Sequence, residues 1–531
     1  MAYHKDGIVE FARRLLALGW KLLASGGTAK KLTDAGLPVT DIATIVGVAI
    51  LGHRVVSLSR EIHAGLLALN NEEHRAELAR HGILWIDLVL IDLYPLEQEI
   101  ARPGATLDSI LELEDIGGPT GLSSGAKGKR IVICDPADRE LALAKLESGE
   151  PLPEEHREYL AAKADYTVSR YRMLTARYRG KGAFEAMHGV RIAECLYGEN
   201  APQKPAGLYS TGTDDPLGLD KFTLVEGKPL SFNNFGDLDR LLQTITHVVA
   251  AMEVNNASLP HPRIALVVKH GNCCGAAWAE DSVTALQKMV TGDLDAIMGG
   301  LVMANFPIGA GEADTLAHYA LRSGEKRRIL DAVFAPNFED GARDALRRNY
   351  DNCRFAANPA LGTLTKQSLD TAPRFRYVRG GFLIQPNYTF VPDFADASVI
   401  THHGKRADER QLHDLAFAWG LGATSNSNTV ALVNNQALNG LGVGQQSRVT
   451  AARLAVSRCK QSGRDPRGSV GYSDSFFPFA DAPALLIAEG ITAIFTSQGG
   501  IRFADTVKVC QERDIPLITV LDGVGRGFFG H

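Results

Sequence analysis

Apolar and polar positions along the chain follow two alternating rhythms. Between Gly7 and Leu18, residues Ile8, Phe11, Ala12, Leu15 and Leu16 recur at helical spacing, the stripe of an amphipathic helix. Lys21–Ala24 reads as a short strand ending in Ser25-Gly26-Gly27-Thr28, and helical character resumes over Ala29–Ala35. Ile86–Leu93 and Arg130–Cys134 are apolar runs closed by Tyr94-Pro95 and Asp135-Pro136, and they predict buried strands. Strands separated by helices imply a parallel sheet with helices on its faces. After the polar stretch Ser148–Glu155, a charged helix is expected from about His156 to Arg179, broken by Gly180-Lys181-Gly182. A domain boundary is therefore placed near residue 185. The remainder alternates again. Strands are expected at Ile264–Lys269, Ala332–Ala335, Thr429–Val433, Ala493–Thr496 and Pro516–Leu521, and helices at Leu238–Val254, Gln411–Ala418 and Val449–Gln461. At roughly 345 residues this part exceeds one compact unit, so two α/β subdomains are expected. No short-period repeat or low-complexity tract is visible in the sequence.

Composition narrows the class. The 531 residues suffice for about three or four folding units. Lys+Arg 56 against Asp+Glu 61 leaves a formal charge of −5, which excludes a general nucleic-acid binder. Hydrophobic residues at 45% and charged residues at 22% fit folded globular domains. The 53 glycines predict many tight turns or close backbone approaches. Apolar runs such as Ile264–Val268 are strand-length and far short of the ~20 residues of a membrane helix. The start, MAYHKDGIVEF, has no apolar block of the signal-peptide kind. Seven cysteines without a spacing pattern point to a reducing cytoplasm.

Several motifs sit where these elements meet. At Ser25-Gly26-Gly27-Thr28 a strand feeds a helix, where backbone N–H groups attract anions and glycine admits a phosphate. A tight strand–helix turn explains the same residues equally well. No Gly-Lys-[Ser/Thr] follows, so this is not a Walker loop. Asp115-Ile116-Gly117-Gly118 sets a carboxylate beside a glycine turn, with Lys127 further on; most such signals are plain turns. Lys269-His270-Gly271-Asn272-Cys273-Cys274-Gly275 follows an apolar strand, at the kind of strand end where ligands gather in parallel sheets. Lys beside His offers a cation for a developing oxyanion and a base near neutral pH. A polar turn closing a buried strand competes with that reading on level terms. The run carries neither His-x-Glu nor Cys-x-x-Cys, so no zinc site is expected. Gly440-Leu441-Gly442-Val443-Gly444-Gln445-Gln446-Ser447-Arg448 is expected as a glycine-rich turn, either aiming Gln and Arg into a pocket or merely connecting. Its spacing is not a dinucleotide fingerprint. Ser473–Phe479 is the densest aromatic patch, read first as core and second as an apolar slot edged by Asp474 and Asp481.

Taken in order, these motifs resemble one family, the bifunctional AICAR transformylase/IMP cyclohydrolases of purine biosynthesis. The series Ser25-Gly26-Gly27-Thr28, Asp92-Leu93-Tyr94-Pro95, Asp115-Ile116-Gly117-Gly118, Lys269-His270-Gly271-Asn272, Ser427-Asn428-Thr429-Val430, Gly440–Arg448 and Ser473–Phe479 spans nearly the whole chain. The resemblance implies a methylglyoxal-synthase-like parallel-sheet cyclohydrolase domain over 1–185. It also implies a transformylase over 186–531, built of two zinc-free, cytidine-deaminase-like α/β subdomains. The implied reaction is formyl transfer from 10-formyltetrahydrofolate to AICAR, then ring closure of formyl-AICAR to IMP. A cytoplasmic homodimer with sites formed by both chains is implied too, with no metal, nucleic-acid or membrane partner.

Residue by residue, the resemblance assigns Lys269, His270 and Asn428 to formyl transfer, with His270 as base and Lys269 as charge stabiliser. Tyr197, Asp331, Arg448, Phe476, Pro478, Asp481 and Arg526 match positions around nucleotide and folate. In the first domain Tyr94, Asp115 and Lys127 match catalytic positions, and Lys5, Ser25, Gly26, Gly27, Thr28, Arg54 and Gly117 match nucleotide-binding ones. The chain also departs from the family. Leu196 and Pro202 replace an Arg and a His, and Ala296-Ile297-Met298 replaces Ser-Ala-Phe. In Arg54-Val55-Val56-Ser57-Leu58-Ser59-Arg60, Val56 and Ser59 stand where the family has Lys and His. Val cannot replace an ammonium, and Arg60 is the nearest substitute. Full bifunctionality with slowed ring closure is the first expectation. A transformylase with a degenerate nucleotide-binding domain is the second, and a non-catalytic nucleotide binder, disfavoured by Lys269, His270 and Asn428, the third.

Overall fold

The computed structural model describes residues 2–51, 55–255 and 261–531. Contacts divide the chain into two compact units, the first ending at His188 and the second running from Gly189 to His531. Among the described residues no helix is long and apolar enough to cross a membrane.

The first unit wraps helices around short parallel strand pairs. Helix α1 (Ile8–Ala17) leads to β1 (Leu23–Ala24), which runs into α2 (Gly26–Asp34) and pairs in parallel with β2 (Thr40–Asp41). Helix α3 (Arg60–Leu67) starts at Ser59, whose side chain accepts the Ile62 N–H, a local reason for Ser at a position the family gives to His. Strand β3 (Leu88–Leu90) pairs in parallel with β4 (Ile131–Ile133) across α4 (Gly117–Lys127). The long helix α5 (Glu154–Arg179) covers them, and Leu122, Val132 and Ala164 close the core with no exposed surface. The strands are shorter than the apolar runs that predicted them.

The second unit is built on a twelve-stranded mixed sheet made of the same pattern twice, with two separate two-stranded hairpins, Val190–Cys195 with Ala206–Ser210 and Arg374–Val378 with Gly381–Gln385, beside it. In the first half, β5 (Thr223–Glu226) precedes the long helix α6 (Phe232–Asn255). The hairpin β6 (Arg263–Lys269)–β7 (Asn272–Ala279) comes next, then β8 (Leu301–Ala304), β9 (Ala332–Ala335) and β10 (Arg354–Ala357). In the second, β11 (Ile400–His403) precedes helix α8 once α7 (Ser282–Val290) of the first half is counted; α8 covers Glu409–Gly422. The hairpin β12 (Val430–Asn434)–β13 (Ala437–Gly442), α9 (Arg448–Gln461), β14 (Val470–Ser473), β15 (Ala493–Gln498) and β16 (Leu517–Leu521) complete it. The order is β11-β16-β15-β14-β12-β13-β7-β6-β8-β9-β10-β5, and the halves join at the antiparallel pair Ala437–Ala277. Side-chain alternation along β6 sends Ile264, Leu266 and Val268 to the face under α6 and α8, and Ala265 and Val267 to the other.

Two expectations are corrected here. Strand β6 pairs antiparallel on both sides, so Lys269-His270 ends a hairpin strand and not a parallel one. Gly440 and Gly442 lie inside β13, not in a turn: a Cβ on either would collide with the carbonyl oxygen of Ala455 or Ala451, so these glycines let the strand lie close against α9.

Candidate functional sites

In the first unit a cavity of about 480 Å³ opens where strand ends, loops and helix starts meet. Its walls include Lys5, Ser25, Gly26, Gly27, Thr28, Val56, Tyr94, Asp115 and Gly117. A neighbouring cavity of about 590 Å³ is lined chiefly by apolar side chains of α1, α2 and the Leu84–Leu90 segment, and brings no such set together. The glycine turn at Ser25 becomes the first turn of α2, and the Lys5 ammonium lies 3.6 Å from where a Gly27 Cβ would stand. Helix-start N–H groups and an ammonium face the same space, which suits a phosphate.

Asp115 is buried beside them. Its Oδ1 accepts the Gly118 N–H at 2.7 Å, and its own N–H donates to the Tyr171 hydroxyl at 2.8 Å. A Cβ on Gly118 would run into this carboxylate, which explains the second glycine of the motif. Burial raises the Asp115 pKa above the usual carboxylate range. Burial first, and then the Asp115 charge, raise that of Tyr94, so its phenol stays protonated at neutral pH. Tyr171, on α5, was not singled out from the sequence; burial pushes its hydroxyl pKa up to about 12. Nothing local marks it, because its partner lies 56 residues away.

Other expected members are placed elsewhere. Lys127 is exposed at the opposite end of α4 from Gly117, roughly 15 Å away at the helical rise, and does not line the cavity. Arg60 is exposed, pairs with Glu61 at 3.4 Å and is not among the residues that line the cavity. Arg54 lies outside the described residues.

In the second unit the strand register gathers the expected residues at one end of the sheet. Lys269 closes the β6–β7 hairpin opposite Asn272. His270 (φ 55°) and Gly271 (φ 70°) form its two-residue turn, both left-handed as this tight turn type demands. Asp237 of α6 accepts the Gly271 N–H at 2.6 Å, and Lys269 Nζ donates to the Met298 carbonyl at 2.7 Å. Asp331 heads β9 beside Gly300 and pairs with Arg348. Asn428 precedes β12, whose Val430 faces Gly442 and Ser473 at the same end. Arg448 starts α9 there and binds Asn428, Ser473 and Asp474. Three strand spacings of ~4.8 Å separate Lys269 from Asn428, and no hydrogen bond links them among the described residues.

The remaining positions are looser. Phe476 packs over Gly499 and Gly500, Phe477 is core, and Pro478 and Asp481 are exposed at the start of a helix. The aromatic patch is thus part core and part surface. Arg526 pairs with Asp522 at 3.3 Å. Tyr197 sits in a loop closed by Gln203, with Leu196 largely exposed. Burial raises the Cys273 thiol to about 12 and that of Cys274 well above its ordinary value, and both sulfurs face backbone carbonyls.

A family model described as AICARFT/IMPCHase bienzyme matches residues 127–458, and one for an MGS-like domain matches residues 7–120. The chain belongs to this bienzyme family. It is 34% identical over 529 residues to a bifunctional purine biosynthesis protein PurH of Trichormus variabilis, covering 98% of this chain and 97% of that one. PurH proteins of Anoxybacillus flavithermus and Aquifex aeolicus are 33% and 30% identical, each covering 97% of this chain, and 96% and 97% of their own.

Proposed function

We propose that this chain acts in de novo purine biosynthesis as an AICAR transformylase and IMP cyclohydrolase. The observation that carries the first activity is the convergence of Lys269, His270, Asp331 and Asn428 on one sheet end. His270 takes a proton as the AICAR amine attacks the formyl carbon of 10-formyltetrahydrofolate. Lys269, with two N–H bonds left after Met298, steadies the oxygen as charge builds on it. The new N–C bond forms as the bond to the folate nitrogen breaks, and that nitrogen takes up the proton. The gap between Lys269 and Asn428 favours a homodimer in which a second chain completes each site. Seven buried, unpaired cysteines fit a cytoplasmic setting.

Ring closure belongs to the first unit. Helix α2 and Lys5 hold the phosphate of formyl-AICAR, Asp115 accepts a proton from the attacking carboxamide nitrogen as the new N–C bond forms, and the Tyr94 phenol protonates the former formyl oxygen. The C–O bond then breaks as Asp115 returns its proton to that oxygen, water leaves, the formamide N–H proton restores the phenol as the ring C=N bond forms, and IMP remains. Val56 in the wall of this cavity favours a second reading, in which the unit binds nucleotide but closes the ring slowly or not at all. One experiment separates them: incubate the protein with AICAR and 10-formyltetrahydrofolate, and resolve the products by chromatography. IMP supports both activities. Formyl-AICAR alone leaves only the transformylase, and neither product refutes the proposal.

A further inference from the structure

Helix α5 grips the segment that carries Asp115. The Tyr171 hydroxyl accepts the Asp115 N–H at 2.8 Å, and both residues are buried. One residue earlier, Glu114 Oε1 accepts from Arg172 Nη1 at 3.0 Å and from Thr175 Oγ1 at 3.1 Å. These three side chains span little more than one turn of a 26-residue helix, so they act as one rigid piece. Tyr171 packs with Leu96 and Ile110 in a core cluster, which fixes where its oxygen points. Glu114 and Asp115 line the cavity, whereas Tyr171, Arg172 and Thr175 are not among its lining residues. At the other side, the Gly118 N–H of α4 donates to Asp115 Oδ1. Asp115 is thus held at two points, its backbone from α5 and its carboxylate from α4. Tyr171→Phe would strand the Asp115 N–H without an acceptor in a buried place.

We infer that α5 is a positioning clamp for ring closure: Tyr171, backed by Arg172 and Thr175, holds the Glu114-Asp115 step so that the Asp115 carboxylate meets the reacting amide. This rests on the ring-closure reading above and deepens it, since the clamp acts only through Asp115. Arg172 has a second part. Burial is what raises the Asp115 pKa, and the Gly118 N–H and then the Arg172 charge work against it. Arg172 also offsets the neighbouring charge of Glu114. The other titratable groups around that carboxylate are Tyr94 after β3, Tyr171 itself and, in the cavity walls, Lys5, Asp92 and Glu112.

The test measures ring closure of formyl-AICAR and binding of IMP by Tyr171→Phe, Thr175→Val, Arg172→Gln, Arg172→Lys, Asp115→Asn and the double variant Asp115→Asn/Tyr171→Phe. Misplacing a reacting group by an ångström can cost about 10² in rate. Tyr171→Phe should lower kcat about tenfold or more on that scale, while KM for formyl-AICAR and Kd for IMP stay within about threefold. The double variant should be no slower than Asp115→Asn alone, because Tyr171 then has nothing left to position. Arg172→Gln should move the acid limb of the kcat profile to higher pH, and Arg172→Lys, which keeps the charge, should leave it in place. A kcat for Tyr171→Phe within about twofold of wild type would overturn the inference, as would losses that multiply in the double variant or an acid limb indifferent to Arg172→Gln. A rise of about tenfold in Kd for IMP with kcat retained would make α5 part of the nucleotide wall and overturn it too. If Tyr171→Phe does not fold, Thr175→Val removes another grip and should lower kcat, not raise KM. Active wild type with indifferent variants defeats the clamp alone; wild type without ring closure defeats the ring-closure reading and the clamp with it.

Discussion

The two halves of the second unit are the same structure built twice, yet only one hairpin turn carries candidate chemistry. In the first half, His270-Gly271 closes β6–β7, and Asp237 from the preceding long helix holds the turn. In the second, Asn435 (φ 49°) and Gln436 (φ 67°) close β12–β13, and Asp414 from the preceding long helix accepts both their N–H groups, at 3.1 and 2.8 Å. Because β7 and β13 run antiparallel, the two turns sit at opposite ends of the joined sheet. The site then draws on a strand end from one half and a strand start from the other. The fold supplies a rigid two-residue turn twice; the side chain placed on it decides whether that turn is a scaffold or a catalyst.

The sharpest way to break this comparison is to exchange the turns' residues for neutral ones. His270→Ala is expected to cut formyl transfer at least about a hundredfold with the fold intact, as loss of a general base does. Asn435→Gly, which suits the left-handed backbone, should leave the rate within about twofold, since the turn it occupies only connects strands. Comparable losses in steady-state assays of both variants would mean that the turns are not functionally different.

A second contrast lies in the first unit, where the cavity is formed but lacks a cation at Val56. Val56→Lys should speed ring closure of formyl-AICAR by about tenfold or more, below the ~10²–10³ of a natively aligned charge donor. Formyl transfer should stay unchanged. An unaltered or slower ring closure in a folded variant would show a pocket rebuilt without that cation.

The aspartates offer a finer comparison. Asp237→Asn should slow formyl transfer several-fold by loosening the His270 turn. Asp414→Asn should leave the rate alone and cost about 1–3 kcal/mol of stability, read from urea midpoints, because two N–H groups of the turn lose the charged acceptor that buried Asp414 provides.

Smallest is a pH effect in the first unit. Asp115 must be ionised to accept a proton, and burial raises its pKa above the usual ~3.9, so ring closure should rise with pH through a midpoint above that value. The sign for stability is opposite. A raised folded pKa favours the protonated native state, so the Asp115 contribution is full below the unfolded pKa and fades as pH rises through the folded one. Asp115→Asn should flatten both profiles. An acid limb that persists in its ring-closure profile would assign the titration to another group.

Local pattern was enough for much of this. The apolar runs at Ile264–Lys269 and Ala332–Ala335 and the helical stripe at Ile8–Leu15 are strands and a helix where expected. Asp414, an acid inside the apolar stretch Leu412–Trp419, was a readable sign of a buried acceptor that sequence reasoning passed over. Asp237 and Tyr171 gave no comparable sign, because each acts through a backbone group far along the chain.

By itself, then, the sequence determined the element types, the motif order and the side chains available for chemistry, since periodicity and turn residues act over a few neighbours. Tertiary structure decided the rest. It alone set the doubled sheet, the common end that gathers Lys269, Asp331 and Asn428, the pairing of Arg448 with Asp474 and the distance of Lys127 from the cavity. Strand register and helix direction arise from pairings between segments tens to hundreds of residues apart, and the spacing within any one motif carries no record of them.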